Sequence, residues 1–288
     1  MSFEDVLATV MRLATATEAL AALGAELSLA QSGQPTPPEV AEALRAVSTA
    51  AGVPDISDLA PQQRAIVVGL VNLYLHQAQD LVDAPDRAAG WTFTDPVILD
   101  GWGRGSTMVP ALIASAHADL ANVTSFLDVG TGVGLLAVAA ANVWPSAEIV
   151  GIDLWKLSLE RAHDNVAHAD LAHRITLREQ DVVDLDDPDS YDCIWVPTFF
   201  ITEDELERSL PGLFRALRPG GWIALGRYRP APDPLVEATA TLRTIRGGGF
   251  DLDAKRAMEL LEQVGCESVH VAPTAPSVPL ELVIGQRP

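Results

Sequence analysis

The sequence predicts an α/β protein in which a doubly wound, mostly parallel sheet of seven strands follows a helical N-terminal region. Apolar residues recur at helical spacing through the first 120 residues. From Thr124 onward, strand-like apolar runs alternate with helical patterns, and a glycine-rich turn follows the first of these strands. We therefore expect two parts, a helical lid over residues 1–120 and a sheet domain over residues 121–288.

The N-terminal part is predicted to be helical over residues 3–30, 38–51 and 62–83. The second helix opens with TPPEV, and proline is favoured in the first turn of a helix. An aromatic and glycine-rich loop that can hold one short helix follows, APDRAAGWTFTDPVILDGWGRGS. A further helix is predicted from Thr107 to Leu120.

The sheet is predicted from seven apolar runs that alternate with helical patterns. Thr202 and Glu205 have the spacing of a capping box, which indicates that a helix starts there. The predicted strands are 124–129, 147–153, 174–182, 191–196, 222–228, 267–272 and 280–285. The predicted helices are 134–143, 157–169, one beginning at Thr202, 234–245 and 252–264.

Composition excludes several classes of partner. The 288 residues carry a formal charge of −20 and have only two lysines, which argues against a nucleic-acid partner. Cys193 and Cys266 lie in apolar, strand-like contexts and are predicted to be buried thiols. The first five residues include two acids, and we find no signal peptide or membrane-spanning run. We expect a cytoplasmic protein without a membrane partner.

The glycine-rich turn lies in FLDVGTGVGLLAVAAA, residues 126–141. A phosphate-binding P-loop would end in Gly-Lys-Ser/Thr, and no lysine is present. The dinucleotide pattern G-x-G-x-x-G fails because Leu135 occupies its last position. Asp128, two residues before Gly130, would repel a pyrophosphate and would suit a ligand with a cationic amino group.

This region resembles the class I S-adenosylmethionine-dependent methyltransferases. LDVGTGVG resembles their first motif, VGID their second strand with its ribose-binding acid, and EQDV the end of the third strand, near the adenine. LRPGGWIAL, residues 217–225, resembles the turn before their fifth strand. The resemblance implies a catalytic domain of that type over residues 121–288, with S-adenosyl-L-methionine as cofactor. The implied cofactor contacts are Asp128, Gly130, Thr131, Gly132, Gly134, Asp153, Leu154, Asp181, Val182 and Trp195.

The acceptor is predicted from the fourth strand and the N-terminal loop. The segment WVPTFFI lacks the Asn-Pro-Pro-Tyr/Phe motif of the relatives that methylate amino groups of nucleic acids and protein glutamine. Its aromatic residues would form a wall for a small organic substrate. The predicted substrate contacts are Trp91, Phe93, Trp102, Arg104, Phe199 and Phe200.

The catalytic residue remains unknown at this level. His163, His168 and His173 are five residues apart and do not share one helical face, and no metal-ligand spacing is present. The hypothesis is methyl transfer to an O or N atom of a small metabolite, such as one of natural-product biosynthesis, driven by proximity and desolvation. Two alternatives stay open: a cyclase or lyase that uses the same sulfonium, and a non-catalytic cofactor-binding scaffold. A homodimer is also left open.

Overall fold

The computed structural model describes residues 2–53, 55–275 and 278–288, and its chain forms two compact units. The helical unit comprises Met1–Pro85 and Asp95–Gly105, and the sheet unit comprises Asp86–Thr94 and Ser106–Pro288. The predicted division at residue 120 assigns a lid to residues 1–120 and cofactor binding to residues 121–288. This division of function stays a prediction.

The helical unit contains four helices: α1 (Phe3–Ser32), α2 (Pro38–Ala50), α3 (Pro61–Asp83) and α4 (Pro96–Ser106). The first three confirm the predicted helices to within two residues. A reciprocal capping box between Ser2 and Asp5 starts α1, and Gly33, at φ 60°, ends it. Gly24 of α1 lies so close to α3 that an added Cβ would be 2.7 Å from Cγ1 of Val71. Glycine therefore allows these two helices to pack tightly.

The sheet unit alternates helices and strands in the predicted order. Its helices are α5 (Val109–Ala116), α6 (Leu135–Val143), α7 (Lys156–His168), α8 (Glu203–Ala216), α9 (Pro234–Gly247) and α10 (Ala254–Gln263). Its strands are β1 (Ser125–Val129), β2 (Glu148–Asp153), β3 (Ile175–Glu179), β4 (Tyr191–Pro197), β5 (Leu217–Tyr228), β6 (Glu267–Val271) and β7 (Leu280–Gln286).

The seven strands form one sheet in the order β3-β2-β1-β4-β5-β7-β6. The first five strands along the chain pair in parallel, and β7 pairs antiparallel with both β5 and β6. This confirms the predicted seven-stranded, mostly parallel sheet. Chain order reverses between β1 and β4, and ligands bind at the carboxyl ends of strands at such a switch point.

Two apolar layers sandwich the sheet, because alternate residues of each buried strand face opposite sides. Phe126 of β1 and Cys193 of β4 lie in one layer with α5 and α6, while Leu127 and Ile194 lie in the other with α8 and α10. Both cysteines are buried and free, as predicted.

Three predicted boundaries were wrong. Strand β3 ends at Glu179 rather than at residue 182, because Asp181 caps a 3-10 turn that begins at Val182. The helix predicted over residues 107–120 breaks at His117, which is extended at φ −151° and ψ 153°, so α5 is followed by a 3-10 turn over Ala118–Asn122. The His117 ring instead packs on Trp222, with centroids 4.5 Å apart. Strand β5 begins at Leu217 rather than at residue 222, because Leu217 already pairs with Tyr191 of β4. The register shifts before the next pair, Cys193 with Trp222, and Gly220 in this irregular stretch has a φ of 81°.

Candidate functional site

The turn between β1 and α6 is built on three glycines in the left-handed region. Gly130, Gly132 and Gly134 have φ values of 66°, 55° and 75°, which favour glycine over any residue with a Cβ. The backbone N–H of Thr131 donates to the carbonyl of Ile152 on β2 at 3.0 Å. The turn is therefore fixed against the carboxyl end of the neighbouring strand.

Asp128, on β1, is a buried carboxylate beneath this turn. Its Oδ2 accepts a hydrogen bond from the Thr131 hydroxyl at 2.7 Å, whereas its buried Oδ1 has no hydrogen-bond partner among the described residues. Burial, reinforced by the nearby Asp153 carboxylate and opposed by the Thr131 bond, raises the pKa of Asp128 to about 7. A buried acceptor without a donor would be satisfied by a cationic or N–H-bearing ligand.

Asp153, the last residue of β2, accepts hydrogen bonds from the segments that follow β1 and β2. Its Oδ2 accepts from the backbone N–H of Gly132 at 2.7 Å, and its Oδ1 accepts from that of Trp155 at 2.7 Å. Burial raises the pKa of Asp153, and these backbone hydrogen bonds act in the opposite direction. Two carboxylates thus lie at the adjacent carboxyl ends of β1 and β2, as the sequence predicted.

Gly151, which the sequence analysis did not single out, makes room for the turn. A Cβ at this position would lie 2.7 Å from the Thr131 hydroxyl oxygen, so only glycine leaves space for the Thr131 side chain. Its signal in the sequence was a single glycine two residues before Asp153, which is weak because glycine also occurs in strands without such a reason.

The remaining predicted cofactor residues fall into two groups. Asp181 caps a 3-10 turn over Val182–Asp184 after β3, where its Oδ1 accepts from the N–H of Val183 at 2.9 Å, and Leu154 is exposed after β2. Trp195 is a buried core residue whose ring lies against Gly226 of β5. The assignments of all ten predicted residues to the cofactor, including those of the glycine turn, stay predictions.

Four of the six predicted substrate residues come together in one aromatic ladder. Ring centroids are 5.2 Å apart for Trp91 and Phe93, 4.8 Å for Trp91 and Phe200, and 4.7 Å for Phe199 and Phe200. The ladder continues to Tyr228 at the end of β5, whose ring lies 5.1 Å from that of Phe199. It is located at the carboxyl ends of β4 and β5, and a Cβ added to Gly130 would lie 3.4 Å from Cγ of the neighbouring Pro197.

The segment Asp86–Thr94, here called the strap, carries the first two rings of the ladder. At one end the Trp155 indole N–H donates to the carbonyl of Phe93 at 3.2 Å. At the other, the N–H of Gly90 donates to the carbonyl of Arg246, at the end of α9, at 3.2 Å. The strap is thus bonded to the segment after β2 and to the end of α9, and its Trp91 ring packs on Phe200 in the turn after β4. Strand β1 lies between β2 and β4 in the sheet.

A run of three glycines, Gly247–Gly249, holds the strap and the ladder together. A Cβ on Gly248 would lie 3.0 Å from Cα of Gly90, and a Cβ on Gly249 would lie 2.4 Å from the carbonyl group of Phe199. In the sequence, RGGGF falls between the helices predicted over residues 234–245 and 252–264. The run of glycines was a visible signal, but its contacts depend on residues about 50 and 160 positions away.

Trp102 and Arg104 lie on α4, in the helical unit, with Arg104 4.0 Å from Asp100. That unit also contains a pair which the sequence could not indicate, His76 and Asp95, with Nδ1 and Oδ2 2.7 Å apart. The hydrogen bond to His76 lowers the pKa of Asp95 against the opposing effect of burial. A carboxylate that fixes one ring nitrogen leaves the other available for a proton.

Together these features define the class I methyltransferase fold. The strand order with an antiparallel β7, the glycine turn after β1, the acid at the end of β2 and the unsatisfied Asp128 oxygen all belong to the sheet unit. These residues fit a cofactor that offers hydroxyl and ammonium groups. The recognition made from the sequence is confirmed.

Comparison with known proteins agrees. Residues 126–221 match a family described as a methyltransferase domain. The arsenite methyltransferase of Halobacterium salinarum is 28% identical over 163 residues, covering 55% of this chain and 41% of that protein. The 27-O-demethylrifamycin SV methyltransferase of Amycolatopsis mediterranei is 29% identical over 135 residues, covering 46% and 44%. The chain thus spans less than half the length of these curated relatives.

The fold extends over the whole chain of a solved structure. Human N-acetylserotonin methyltransferase in complex with S-adenosylmethionine superposes with a TM-score of 0.68 at 14% identity, covering 100% of this chain and 99% of that one. The cofactor predicted from the sequence is the one bound in that protein.

Proposed function

We propose that this protein binds S-adenosyl-L-methionine and transfers its methyl group to an O or N atom of a small organic metabolite. The observation that carries the proposal is the pair of carboxylates at the β1 and β2 ends. Asp153 is fixed by two backbone N–H groups, and Asp128 keeps one buried oxygen without a donor.

The roles of the residues follow from their surroundings. Asp128 and the glycine turn would hold the cationic methionine part, and Asp153 would accept from the ribose hydroxyls through its unused lone pairs. Asp181 and Val182 would contact the adenine. The cofactor supplies a methyl group already activated for displacement, so the chain's task is to align the acceptor and exclude water. The strap, which contacts the segments after β2 and β4 on either side of β1, is suited to exclude water.

The aromatic ladder supports an apolar acceptor. Its rings line the carboxyl ends of β4 and β5, and Phe199 and Phe200 stay partly accessible. Similarity alone does not choose the acceptor, since the relatives named above act on arsenite and on a demethylrifamycin. The predicted roles of Trp102, Arg104 and residues 1–120 in acceptor specificity stay predictions, as do the cytoplasmic location and the absence of a nucleic-acid partner.

A cyclase or lyase that uses the sulfonium as a leaving group is the second candidate. The turn after β4, Thr198–Phe200, carries no side chain able to take a proton at neutral pH. This favours the cyclase, in which the cofactor's own carboxylate displaces methylthioadenosine by forming a C–O bond as the C–S bond breaks, over elimination, which needs a proton acceptor. Product analysis separates these reactions from methyl transfer, because methyl transfer releases S-adenosylhomocysteine whereas cyclisation or elimination releases methylthioadenosine.

The test of the proposal is calorimetric titration with S-adenosylmethionine, followed by product analysis over a panel of phenols, alcohols and amines. Asp153→Ala should cost about 2–4 kcal/mol in cofactor affinity, since hydrogen bonds to a charged group contribute roughly 1.5–3 kcal/mol each and do not add fully. Asp153→Asn, which keeps one acceptor oxygen, should lose less.

The matched control is Asp186→Ala, which removes an exposed carboxylate shortly after β3. Its affinity should stay within a factor of two of the unchanged protein. An Asp153→Ala variant that binds the cofactor within tenfold of the parent would overturn the assignment of the site. Failure of the parent protein to bind at all would overturn the function.

A further inference from the structure

The helical unit contains a cavity of about 600 Å³. Its lining comes from the last turns of α1, from α2, from the described part of the loop between α2 and α3, and from the start of α3. These lining residues all belong to the helical unit, whereas Asp128 and Asp153 belong to the sheet unit. Because small-molecule sites commonly enclose about 300–1,000 Å³, the cavity is large enough to hold a ligand.

Hydrogen bonds fix the loop that forms one side of this cavity. Arg64, near the start of α3, donates from Nε to the carbonyl of Leu59 at 2.8 Å and from Nη2 to that of Ser57 at 3.0 Å. Oδ1 of Asp55 accepts from the backbone N–H of Ser57 at 2.8 Å. Two of the charged groups that line the cavity are therefore already used to hold its wall.

Much of the remaining lining is apolar. Leu29 of α1, Leu44 of α2 and Ile56 of the loop are half-buried there, and the small side chains of Ala30 and Ala41 leave space between them. Helix α1, which supplies Leu29 and Ala30, is long and apolar enough to cross a membrane by length and composition, which corrects the expectation of no such run. A lining of this kind favours the hydrocarbon part of a ligand, since contact removes apolar surface from water.

Glu26 of α1 adds a carboxylate that lacks hydrogen bonds. Its side chain is only 14% exposed, and its buried Oε2 accepts no hydrogen bond from the described residues. Its Oε1 lies 3.9 Å from Nε of Arg45, which is too far for a hydrogen bond, and the Arg45 side chain is 72% exposed. Burying a carboxylate without hydrogen bonds is costly, and an N–H group of a ligand would offset that cost.

We propose that this cavity binds a small amphiphilic amine, with its ammonium group on the Glu26 carboxylate and its hydrocarbon body against the apolar lining. An anion fits less well, because Arg64 donates to two loop carbonyls and Arg45 extends into solvent. The net charge of −20 also favours a cation over an anion. The proposal does not depend on methyl transfer, since every residue that it uses belongs to the helical unit.

The test is a ligand-observed NMR titration of the full chain at neutral pH with phenethylamine, which is then protonated. Phenethyl alcohol has the same hydrocarbon body without the charge, and phenylacetate has the opposite charge. The amine should bind at least tenfold more tightly than the alcohol, because a hydrogen bond to a carboxylate is stronger than one between neutral groups. Phenylacetate should bind more weakly than the alcohol.

Two substitutions locate the binding. Glu26→Gln keeps the size of the side chain and removes its charge, so the affinity for the amine should fall at least tenfold while that for the alcohol stays within twofold. Ala41→Leu narrows the cavity with another good helix former and should weaken both probes. The matched control is Glu18→Gln, an exposed acid of α1 outside the lining, which should change neither affinity. Far-UV circular dichroism of each variant checks that the helices remain folded.

Any of three results would overturn the proposal. If the parent binds no amine at millimolar concentration, water alone fills the cavity. If amine binding survives both Glu26→Gln and Ala41→Leu, the ligand binds elsewhere in the chain. If phenylacetate binds more tightly than phenethylamine, the cavity selects anions. None of these measurements involves S-adenosylmethionine or its products, so each result leaves the test of methyl transfer unaffected.

Discussion

At the scale of single residues, the site places two acids where folding alone would not favour them. Asp128 is 1% exposed and lies beside a second carboxylate, so its charged form is costly in the protein without ligand. Thr131 offsets part of that cost through one hydrogen bond. A residue that destabilises the unliganded protein and has an unused buried oxygen is typical of a ligand contact.

We expect Asp128→Asn to stabilise the unliganded protein at pH 8 while weakening cofactor binding. The folded-state pKa of about 7 lies above the ordinary value of 3.8, so the unfolded chain loses its proton first and stability falls between pH 4 and pH 7. The difference between these two pKa values corresponds to a loss of at most about 4 kcal/mol in the free energy of unfolding at pH 8. Thermal melts at pH 4, 6 and 8 should show the gain growing with pH.

The control for this prediction is Asp186→Asn, an exposed acid whose replacement should leave the pH dependence unchanged. Calorimetry at pH 8 should give at least a tenfold loss of cofactor affinity for Asp128→Asn. Equal stability of Asp128→Asn and the parent at every pH would show that the Asp128 charge is tolerated without a ligand.

At the scale of elements, the aromatic ladder is positioned by the strap and by the run of three glycines, Gly247–Gly249, here called the triglycine turn. Gly249→Ala should shift the Phe199 carbonyl, because the new Cβ would begin 2.4 Å from it. We expect the KM for the acceptor to rise several-fold while the Kd for the cofactor stays within twofold, since the glycine turn after β1 is untouched. Steady-state kinetics beside calorimetry measures both.

Gly220→Ala is the matched control for that change. Gly220 has a φ of 81° but open space around it, so its replacement adds backbone strain without a clash. It should lower the melting temperature without changing the acceptor KM. Similar kinetics for Gly249→Ala and the parent would show that the triglycine turn does not position the acceptor.

The same elements show what could be predicted from the sequence. The alternation of strands and helices and the acids Asp128 and Asp153 were visible because each depends on neighbours in the chain. The strap was not predicted, since its position rests on a bond from Trp155 to Phe93, 62 residues apart. The pairing of His76 with Asp95 and the role of Gly151 likewise depend on contacts that no local pattern encodes.

At the scale of the whole molecule, repulsion within the net charge of −20 lowers the stability of the folded chain. The chain has 39 acidic and 19 basic residues, and Asp184, Asp186, Asp187 and Asp189 fall within six positions. Because acids outnumber bases about two to one, salt screens more repulsion than attraction. Added salt should therefore stabilise the fold, although it weakens individual ion pairs such as Arg178 with Asp187.

We expect the melting temperature to rise between 0.02 and 0.2 M NaCl, a range over which the Debye length falls from about 20 to 7 Å. A gain of about 1 kcal/mol would raise it by roughly 2–4 °C in a chain of this size. Asp184→Asn combined with Asp186→Asn should raise the melting temperature at low salt and reduce its response to salt, because both exposed acids belong to the cluster. Sucrose at matched osmolality, which screens nothing, should give a similar shift in the parent and the double variant. A melting temperature that falls with salt would show that the ion pairs outweigh the net repulsion.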